Sequence, residues 1–242
     1  MHPYMSVRQR LERAYLKKPG HQAGCVLAGS FPKPRTGSDV WWDYSPQKNH
    51  STITGAVWTR LSSGLWVLDL DGSDDMVVTK NNIGISGNDS WTQVGWVKSD
   101  NFTSSAKCAF GFLSTQSNDT GRNTIMHHGS KWQIFTYYDA GYVLLNTSIA
   151  ATTNWTLLCF YHDGTIKVRV YESGAVSTYS NPAGAKTLAV IDDKYSIGTY
   201  AGTASSPYPW AGLLGLNRVY TRALSIDEMD TIFNRERHLF GV

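Results

Sequence analysis

Hydrophobic and polar residues alternate with a period of two along most of this chain, which is typical of half-buried β-strands. Short runs of this kind are separated by glycine- and asparagine-rich turns, and that spacing favours a two-sheet sandwich over alternating strands and helices. The fold class is therefore predicted to be all-β and antiparallel. The clearest predicted strands are Leu65–Leu70, Ser90–Lys98, Lys107–Leu113, Thr124–His127, Trp132–Tyr138, Tyr142–Asn146, Thr187–Val190, Tyr195–Gly198 and Gly212–Tyr220.

The clearest hairpin lies in the segment TNWTLLCFYHDGTIKVRVYESG, residues 153–174. Its Asp163-Gly164 pair predicts a two-residue primed turn, because such a turn needs positive φ angles that Asp and Gly tolerate. After the turn, Lys167 and Arg169 alternate with valines. We therefore expect one face of this strand to be exposed to solvent and the other to be buried.

Two segments have helical spacing instead. In Ser6–Lys18 a narrow apolar stripe runs among basic residues until Pro19-Gly20 ends the helix. In Ser225–Arg237 the first residue and Glu228 have the spacing of a capping box, and apolar residues follow at helical intervals. We expect a short N-terminal helical arm and a C-terminal helix to flank the sandwich.

Charge divides the 242 residues into a basic arm, residues 1–24, and a sandwich domain, residues 25–242. The arm has a balance of +4 and the whole chain +3, which leaves −1 for the remainder. A nearly neutral body argues against nucleic-acid binding by the sandwich. The charged residues of the arm are Arg8, Arg10, Arg13, Lys17 and Lys18 against Glu12.

The three cysteines, Cys25, Cys108 and Cys159, stand singly in apolar stretches, which indicates buried free thiols rather than a disulfide framework or a metal site. No signal-peptide core begins the sequence and no apolar run reaches the ~18 residues of a membrane span. We expect synthesis in a cytoplasm and no contact with a membrane.

Four blocks in order resemble the laminin-G-like domains of the concanavalin A-like superfamily: DYSPQKNHSTITGAVW, LWVLDLDGSDDMVV, NWTLLCFYHDGTIKVRVYESG and WAGLLGLNRVYTRALSIDEMDTIFNRE. The resemblance covers about residues 25–237. It implies a jelly roll of two curved antiparallel sheets whose first and last strands lie side by side. It also implies binding of carbohydrates, proteins or surfaces, in some members with calcium. The sequence departs from the pattern at Glu172-Ser173, where Asn or Asp usually precedes the glycine, and in the added arm.

The same superfamily contains retaining glycosidases, which need two carboxylates about 5 Å apart facing one cleft. No Glu-x-Asp-x-Glu motif occurs, and Asp69 and Asp71 belong to the structural turn that the resemblance implies. A glycoside hydrolase is therefore only the third hypothesis, and we expect no catalytic residues. The four glutamates are Glu12, Glu172, Glu228 and Glu236.

The acidic turn Asp71, Asp74 and Asp75 offers the hard oxygen ligands that Ca²⁺ prefers. Short acidic side chains also cap backbone amides in tight turns, and we favour that interpretation. Calcium is the single cofactor that the sequence suggests.

Three polar stretches, Trp41–Tyr44, Tyr137–Tyr142 and Tyr200–Trp210, hold more aromatic residues than a core requires, and sugars bind by stacking on such rings. The alternative is that the rings plug the ends of the sandwich. The candidate ligand-binding residues are Trp41, Trp42, Tyr44, Tyr137, Tyr138, Tyr142, Tyr208 and Trp210.

The arm has two interpretations: it covers a sheet edge of its own sandwich, or it docks onto an acidic surface of another protein. The second interpretation resembles structural proteins of tailed bacteriophages. The leading hypothesis is thus a non-enzymatic attachment or capsid-decoration module on a virion surface. The alternative is a freestanding extracellular lectin. The candidate docking residues of the arm are Val7, Arg10, Leu11, Arg13 and Tyr15.

Overall fold

The computed structural model describes residues 23–29, 39–102, 105–113, 123–138, 141–181, 188, 194–199 and 208–242. The described residues form sixteen strands and one helix, which we label α1 (Ile226–Phe240). The predicted arm helix Ser6–Lys18 and most of the predicted strand Thr187–Val190 lie outside the described residues. The strands are β1 (Cys25–Ala28), β2 (Val40–Trp41), β3 (Ser51–Thr54), β4 (Val57–Arg60), β5 (Trp66–Asp71), β6 (Met76–Thr79), β7 (Trp91–Ser99), β8 (Lys107–Phe112), β9 (Asn123–His128), β10 (Lys131–Tyr138), β11 (Gly141–Ala150), β12 (Thr156–His162), β13 (Ile166–Glu172), β14 (Ala175–Ser180), β15 (Tyr195–Ile197) and β16 (Ala211–Tyr220).

These strands form two antiparallel sheets. The first has the order β14-β13-β12-β7-β16-β5-β4, and β1 pairs with the far end of β16. The second has the order β11-β10-β9-β8-β15-β6-β3-β2. The first and last strands are neighbours, with Cys25 opposite Tyr220. The predicted all-β sandwich of jelly-roll type is confirmed.

Aromatic side chains fill the space between the sheets. Trp91 of the first sheet is fully buried, and Phe112 of the second sheet meets its ring edge-on at 5.1 Å between centroids. Phe160 makes a similar contact with Trp91 at 4.9 Å. Edge-to-face contacts of this kind stabilise the packing beyond the burial of area alone, and the contact between Trp91 and Phe112 joins the two sheets.

Helix α1 covers the outer face of the first sheet, where Trp96 stacks on Phe240 with centroids 4.3 Å apart. The predicted capping box is confirmed, since Ser225 and Glu228 exchange both hydrogen bonds. The helix continues three residues beyond the predicted Arg237 and ends at Gly241, whose φ of 75° suits a left-handed cap. Within the described residues no helix is long and apolar enough to cross a membrane.

The β12–β13 hairpin is confirmed, but its turn is not the one predicted. His162 pairs with Ile166, so the loop has three residues, and of these Gly164 alone has a positive φ, 97°. The two-residue primed turn lies one hairpin later, where Ser173 (φ 46°) and Gly174 (φ 82°) join β13 to β14. The prediction was wrong because the pairing register, and not the Asp-Gly dipeptide, sets the loop length.

The three cysteines are free and buried, as the sequence indicated. Burial raises the pKa of both Cys25 and Cys159 to about 12. Thiols with such pKa values are poor nucleophiles at neutral pH because the thiolate is the reactive form. They pack as small apolar side chains.

Candidate functional site

An aromatic surface lies on the outer face of the second sheet, at its β10–β11 edge. The register of these two strands places Tyr137 opposite Tyr142 and Phe135 opposite Leu144. Alternate residues of a strand point to the same side, so these four side chains share one face. We call this set the tyrosine face.

Tyr142 is the exposed ring of the tyrosine face, with 61% of its surface accessible. Its ring lies nearly parallel to that of Phe135, at 5.5 Å between centroids and 11° between planes, and 5.9 Å from Tyr137. Phe135 and Tyr137 are themselves buried in a small cluster with Cys108 and Met126. The exposed ring therefore rests on a packed aromatic base.

Polar groups border the tyrosine face on the same side of the sheet. Gln133 lies opposite Asn146, and its side-chain amide donates a hydrogen bond to the Asn146 side-chain oxygen. Each amide keeps further donors and acceptors for a ligand. Leu144, 47% exposed, lies between these amides and Tyr142 along the strand. Apolar and hydrogen-bonding groups therefore meet on one surface.

The structure brings two of the three predicted aromatic stretches together. Tyr208 packs against the cluster that contains Tyr137, and its carbonyl oxygen accepts a hydrogen bond of 2.9 Å from the Cys108 amide. Since the sequence separates these residues by more than sixty positions, their meeting depends on the sheet topology.

In these two stretches Tyr138 and Trp210 lie inside the sandwich, which corrects the sequence interpretation at those positions. Tyr138 points to the opposite face from Tyr137, and its hydroxyl accepts a hydrogen bond of 2.9 Å from Asn181. Trp210 is fully buried, stacked with Trp132 at 6.4 Å between centroids. Neither ring presents a face to solvent. Trp210 fills the interior, as the alternative interpretation had it.

The third aromatic stretch lies far from the tyrosine face, because β2 and β11 form opposite edges of the second sheet. Trp41 is buried in the core, which corrects its prediction as a ligand contact. Trp42 and Tyr44 are about two-fifths exposed, and the ring of His50 packs edge-on against Trp42 at 4.5 Å. This surface is a second, separate aromatic patch.

Asp43, which the sequence interpretation passed over as a site residue, holds this second patch in place. Its buried carboxylate accepts hydrogen bonds from the Ala28 amide at 2.8 Å, from the amide and hydroxyl of Ser45 at 2.7 Å each, and from the Asn49 amide at 2.7 Å. Four donors satisfy the acceptor capacity of a buried carboxylate, and these bonds join both ends of the loop to β1. The spacing Asp-x-Ser in DYSPQKN is the local signal of such a turn.

The acidic turn brings together the carboxylates of Asp71, Asp74 and Asp75, with one oxygen of each within 4.8 Å of the others. Two of the three carboxylates already bind backbone amides of the turn. Asp75 accepts a hydrogen bond of 2.8 Å from the Asp71 amide, and Asp71 accepts one of 2.8 Å from the Ser73 amide. Burial raises the pKa of Asp75. Three carboxylate oxygens fall short of the six to eight ligands that Ca²⁺ takes, so further donors would be needed.

Each glutamate in the described part of the chain is engaged in structural contacts. Glu228 completes the helix cap and pairs with Arg222 at 2.6 Å, and Glu236 is buried against Arg218 at 2.8 Å. Glu172 accepts hydrogen bonds from Thr152 and Asn154. Glu172 lines a depression of about 320 Å³, and a second depression of about 360 Å³ shares Asn154 and Ser173 with it.

The predicted docking residues of the arm lie outside the described residues, so their arrangement stays a prediction. These residues are Val7, Arg10, Leu11, Arg13 and Tyr15.

Comparison with solved structures identifies binding domains of botulinum neurotoxins and of Paraclostridial Mosquitocidal Protein 1 as structural neighbours. The botulinum neurotoxin serotype D binding domain superposes with a TM-score of 0.61 at 12% identity, over 91% of this chain and 52% of that one. The binding domain of Paraclostridial Mosquitocidal Protein 1 gives 0.58 at 13% identity, over 89% and 52%. At such identities the likeness shows the fold alone, and the chain spans about half the length of these neighbours.

A comparison with curated protein sequences gave no match. The sequence model of the concanavalin A-like lectin/glucanases superfamily, of the laminin-G type, matches residues 71–229. That range is well over half of the chain, and it includes the acidic turn, the tyrosine face and the start of helix α1. The chain therefore belongs to the concanavalin A-like lectin/glucanases superfamily.

Proposed function

We propose that this chain is a non-enzymatic binding module that holds a carbohydrate on its tyrosine face. The observation that carries the proposal is the exposed ring of Tyr142, supported from below by Phe135 and bordered by the amides of Gln133 and Asn146. The apolar face of a sugar ring stacks on aromatic side chains, and its hydroxyls exchange hydrogen bonds with amides.

The glutamate contacts support a binding function over hydrolysis. A retaining glycosidase needs a pair of carboxyl groups about 5 Å apart in one cleft, one of them free to donate a proton. Glu228 and Glu236 instead form ion pairs with arginines that anchor helix α1. Glu172 is held by neighbouring hydroxyl and amide groups at the end of β13. We therefore expect no release of reducing sugars from polysaccharides.

The structural neighbours support the same class of function. Those compared above are binding domains, and another, the binding domain of botulinum neurotoxin DC, was solved in complex with SialylT. It shares 10% identity and has a TM-score of 0.60 over 88% of this chain and 52% of that one. These neighbours support binding as the activity, and the glycan that this chain binds is to be found by screening.

The test compares Tyr142→Ala with Tyr44→Ala on a glycan panel, followed by calorimetric titration of the best ligand. Both rings are exposed, but they lie at opposite edges of the second sheet. We expect Tyr142→Ala to weaken binding about tenfold or more, because a stacked ring contributes on the order of 1 kcal/mol beyond its buried area. Tyr44→Ala is expected to bind like the parent protein. The reverse result would move the site to the Trp42–Tyr44 patch.

We further propose that the sandwich decorates a virion surface, with the basic segment 1–24 docking onto another protein subunit. The support is the charge division of the sequence, +4 in this segment against −1 elsewhere. Deletion of residues 1–20 should leave the melting temperature nearly unchanged and abolish co-sedimentation with purified virions that lack the protein. Charge reversal at Arg10 and Arg13 should weaken this association in a salt-dependent way, because the contact is largely electrostatic.

Val7→Ala and Leu11→Ala should weaken the same association independently of salt, since they remove apolar contacts. A shortened chain that still co-sediments would leave the freestanding lectin as the better hypothesis. A shortened chain that unfolds would make the segment an internal brace.

A further inference from the structure

Free edges of β-sheets expose unpaired backbone N–H and C=O groups, and proteins usually protect them with short strands, charges, prolines or bulges. Most outer strands described here have such protection. Strand β2 has two residues, and β4 has four and ends in the exposed Arg60. β1 has four residues, and both β1 and β11 have irregular registers with their partners. β1, β2 and β4 are therefore poor templates for another strand, whereas β11 is irregular only beyond Asn146 and pairs regularly with β10 over Gly141–Asn146.

Strand β14, at the edge of the first sheet, lacks such protection over its full length. Its six residues, Ala175–Ser180, contain neither a charge nor a proline, and they pair with β13 in unbroken register. Five of the six are exposed, including Val176 at 46%. Within the described part of the chain, β13 is the single strand that pairs with β14. Among the described residues, the outer edge of β14 is therefore regular, neutral and without a paired strand, although Ile149 and Ala150 of β11 line a depression together with Ala175 and Ser177.

The turn between β13 and β14 determines which backbone groups face outward. In a hairpin with a two-residue loop, the residues that flank the loop form a hydrogen-bonded pair, here Glu172 and Ala175. Hydrogen-bonded and non-bonded pairs then alternate along the strands. The N–H and C=O groups of Val176, Thr178 and Ser180 consequently point away from β13, toward the open edge.

We propose that β14 is a dimer contact, in which two copies of this chain pair antiparallel edge to edge around a twofold axis at Thr178. An axis at Thr178 lets all three outward-facing residues exchange hydrogen bonds with the second copy, whereas an axis at Ser177 or Tyr179 would pair only two of them. Thr178 is the central one of the three. The axis places it opposite its own copy, with Val176 opposite Ser180 of the second copy. All these pairs are neutral, so no like charges oppose the contact.

The charge nearest to this axis is already compensated. Arg169 donates a hydrogen bond of 3.1 Å to the Thr178 hydroxyl, and its guanidinium also forms an ion pair of 3.0 Å with Asp230. The twofold arrangement therefore brings together two Arg169–Asp230 ion pairs without net charge, and not two unpaired arginines. The paired segment is about 17 Å long, so the interface is small and its dissociation constant should be on the order of 10–100 μM.

Sedimentation velocity over a concentration series that brackets this range tests the proposal. The unmodified chain should shift from monomer to dimer, and Thr178→Lys should remain monomeric because two lysines then lie directly opposite each other. Thr178→Glu should also be monomeric alone. An equimolar mixture of the two variants should dimerise again, since Lys then faces Glu. Circular dichroism melting verifies that each variant is folded.

Ser148→Lys on β11 and Thr59→Lys on β4 are matched controls, since they add the same charge at other edges; both should dimerise like the unmodified chain. The proposal fails if the unmodified chain is monomeric throughout the series. It also fails if the Lys and Glu variants do not rescue each other, or if either control abolishes the dimer as Thr178→Lys does. Pairing of β14 with a different protein would give the first of these results.

Discussion

Glu236 and Arg218 form an ion pair, with 2.8 Å between Oε2 and Nη2, in a position where both side chains are almost fully buried. The indole N–H of Trp96 donates to the same carboxylate oxygen at 2.7 Å. Burial raises the pKa of Glu236, and the two donors are what compensates its lost hydration. The pair joins helix α1 to strands β16 and β7, so it connects the last element of the chain to the middle of the first sheet.

We expect Arg218→Met to destabilise the fold by about 3–5 kcal/mol, because it leaves a buried carboxylate without its cation. The double variant Arg218→Met/Glu236→Leu should recover most of that loss, since apolar residues of similar size can replace a buried pair. Urea denaturation gives both values. Arg222→Met serves as the control: it breaks the more exposed pair with Glu228 and should cost about 1 kcal/mol or less. A double variant as unstable as Arg218→Met would contradict this account.

His127 makes the stability of the sandwich dependent on pH. It is fully buried among aromatic rings, and burial lowers its pKa from 6.5 to about 4. Because the unfolded chain takes up the proton more readily, stability should fall as the pH drops from about 6.5 to about 4, by about 3 kcal/mol in total. Below the folded-state pKa, His127 is protonated in both the folded and the unfolded chain. It then causes no further loss of stability.

His127→Phe should remove that slope while the ring packing is kept. Denaturation at a series of pH values from 4 to 7 measures it, and His128→Phe is the control, because His128 is exposed on the neighbouring position. Equal slopes in the two variants would assign the pH dependence to other groups.

Ser173 carries avoidable backbone strain, with a φ of 46° in the two-residue turn before β14. Asn tolerates this left-handed region better than Ser, so Ser173→Asn should stabilise the protein by about 0.5–1 kcal/mol. Ser177→Asn, within β14, should give no such gain. Thermal unfolding compares the two, and a lower melting temperature for Ser173→Asn would show that the side chain, not the backbone, matters at this position.

We expect the acidic turn to stabilise the fold without bound calcium. The Asp75 carboxylate accepts a hydrogen bond of 2.8 Å from the Asp71 amide. Asp75→Ala leaves that donor unpaired and should lower the free energy of unfolding by about 1–3 kcal/mol. We expect the same loss in millimolar calcium and in EDTA, with Asp74→Asn as the nearly neutral control. A melting temperature that rises with calcium, and does so only while Asp74 is present, would instead establish a metal site.

Local sequence patterns correctly predicted the elements that are determined by residues close together in the chain. The capping box at Ser225 and the alternating valines of β13 both follow from neighbouring residues, and the structure confirms them. The Asp163-Gly164 turn could not be predicted in detail, because its three-residue loop depends on the register between two whole strands. The helix continued past its predicted end since Leu239 and Phe240 are buried against the sheet.

Which aromatic side chains are exposed was decided by the tertiary structure. Alternation along a strand places Tyr137 and Tyr138 on opposite faces, but it does not say which face meets the other sheet. The sandwich buries Tyr138 and Trp210 in the interior, and cross-strand pairing places Tyr142 over Phe135. The sequence by itself determined the period of the strands and the cap of helix α1, because these depend on residues close in the chain. Exposure depends on which strands become neighbours, and that information is spread over the whole sequence.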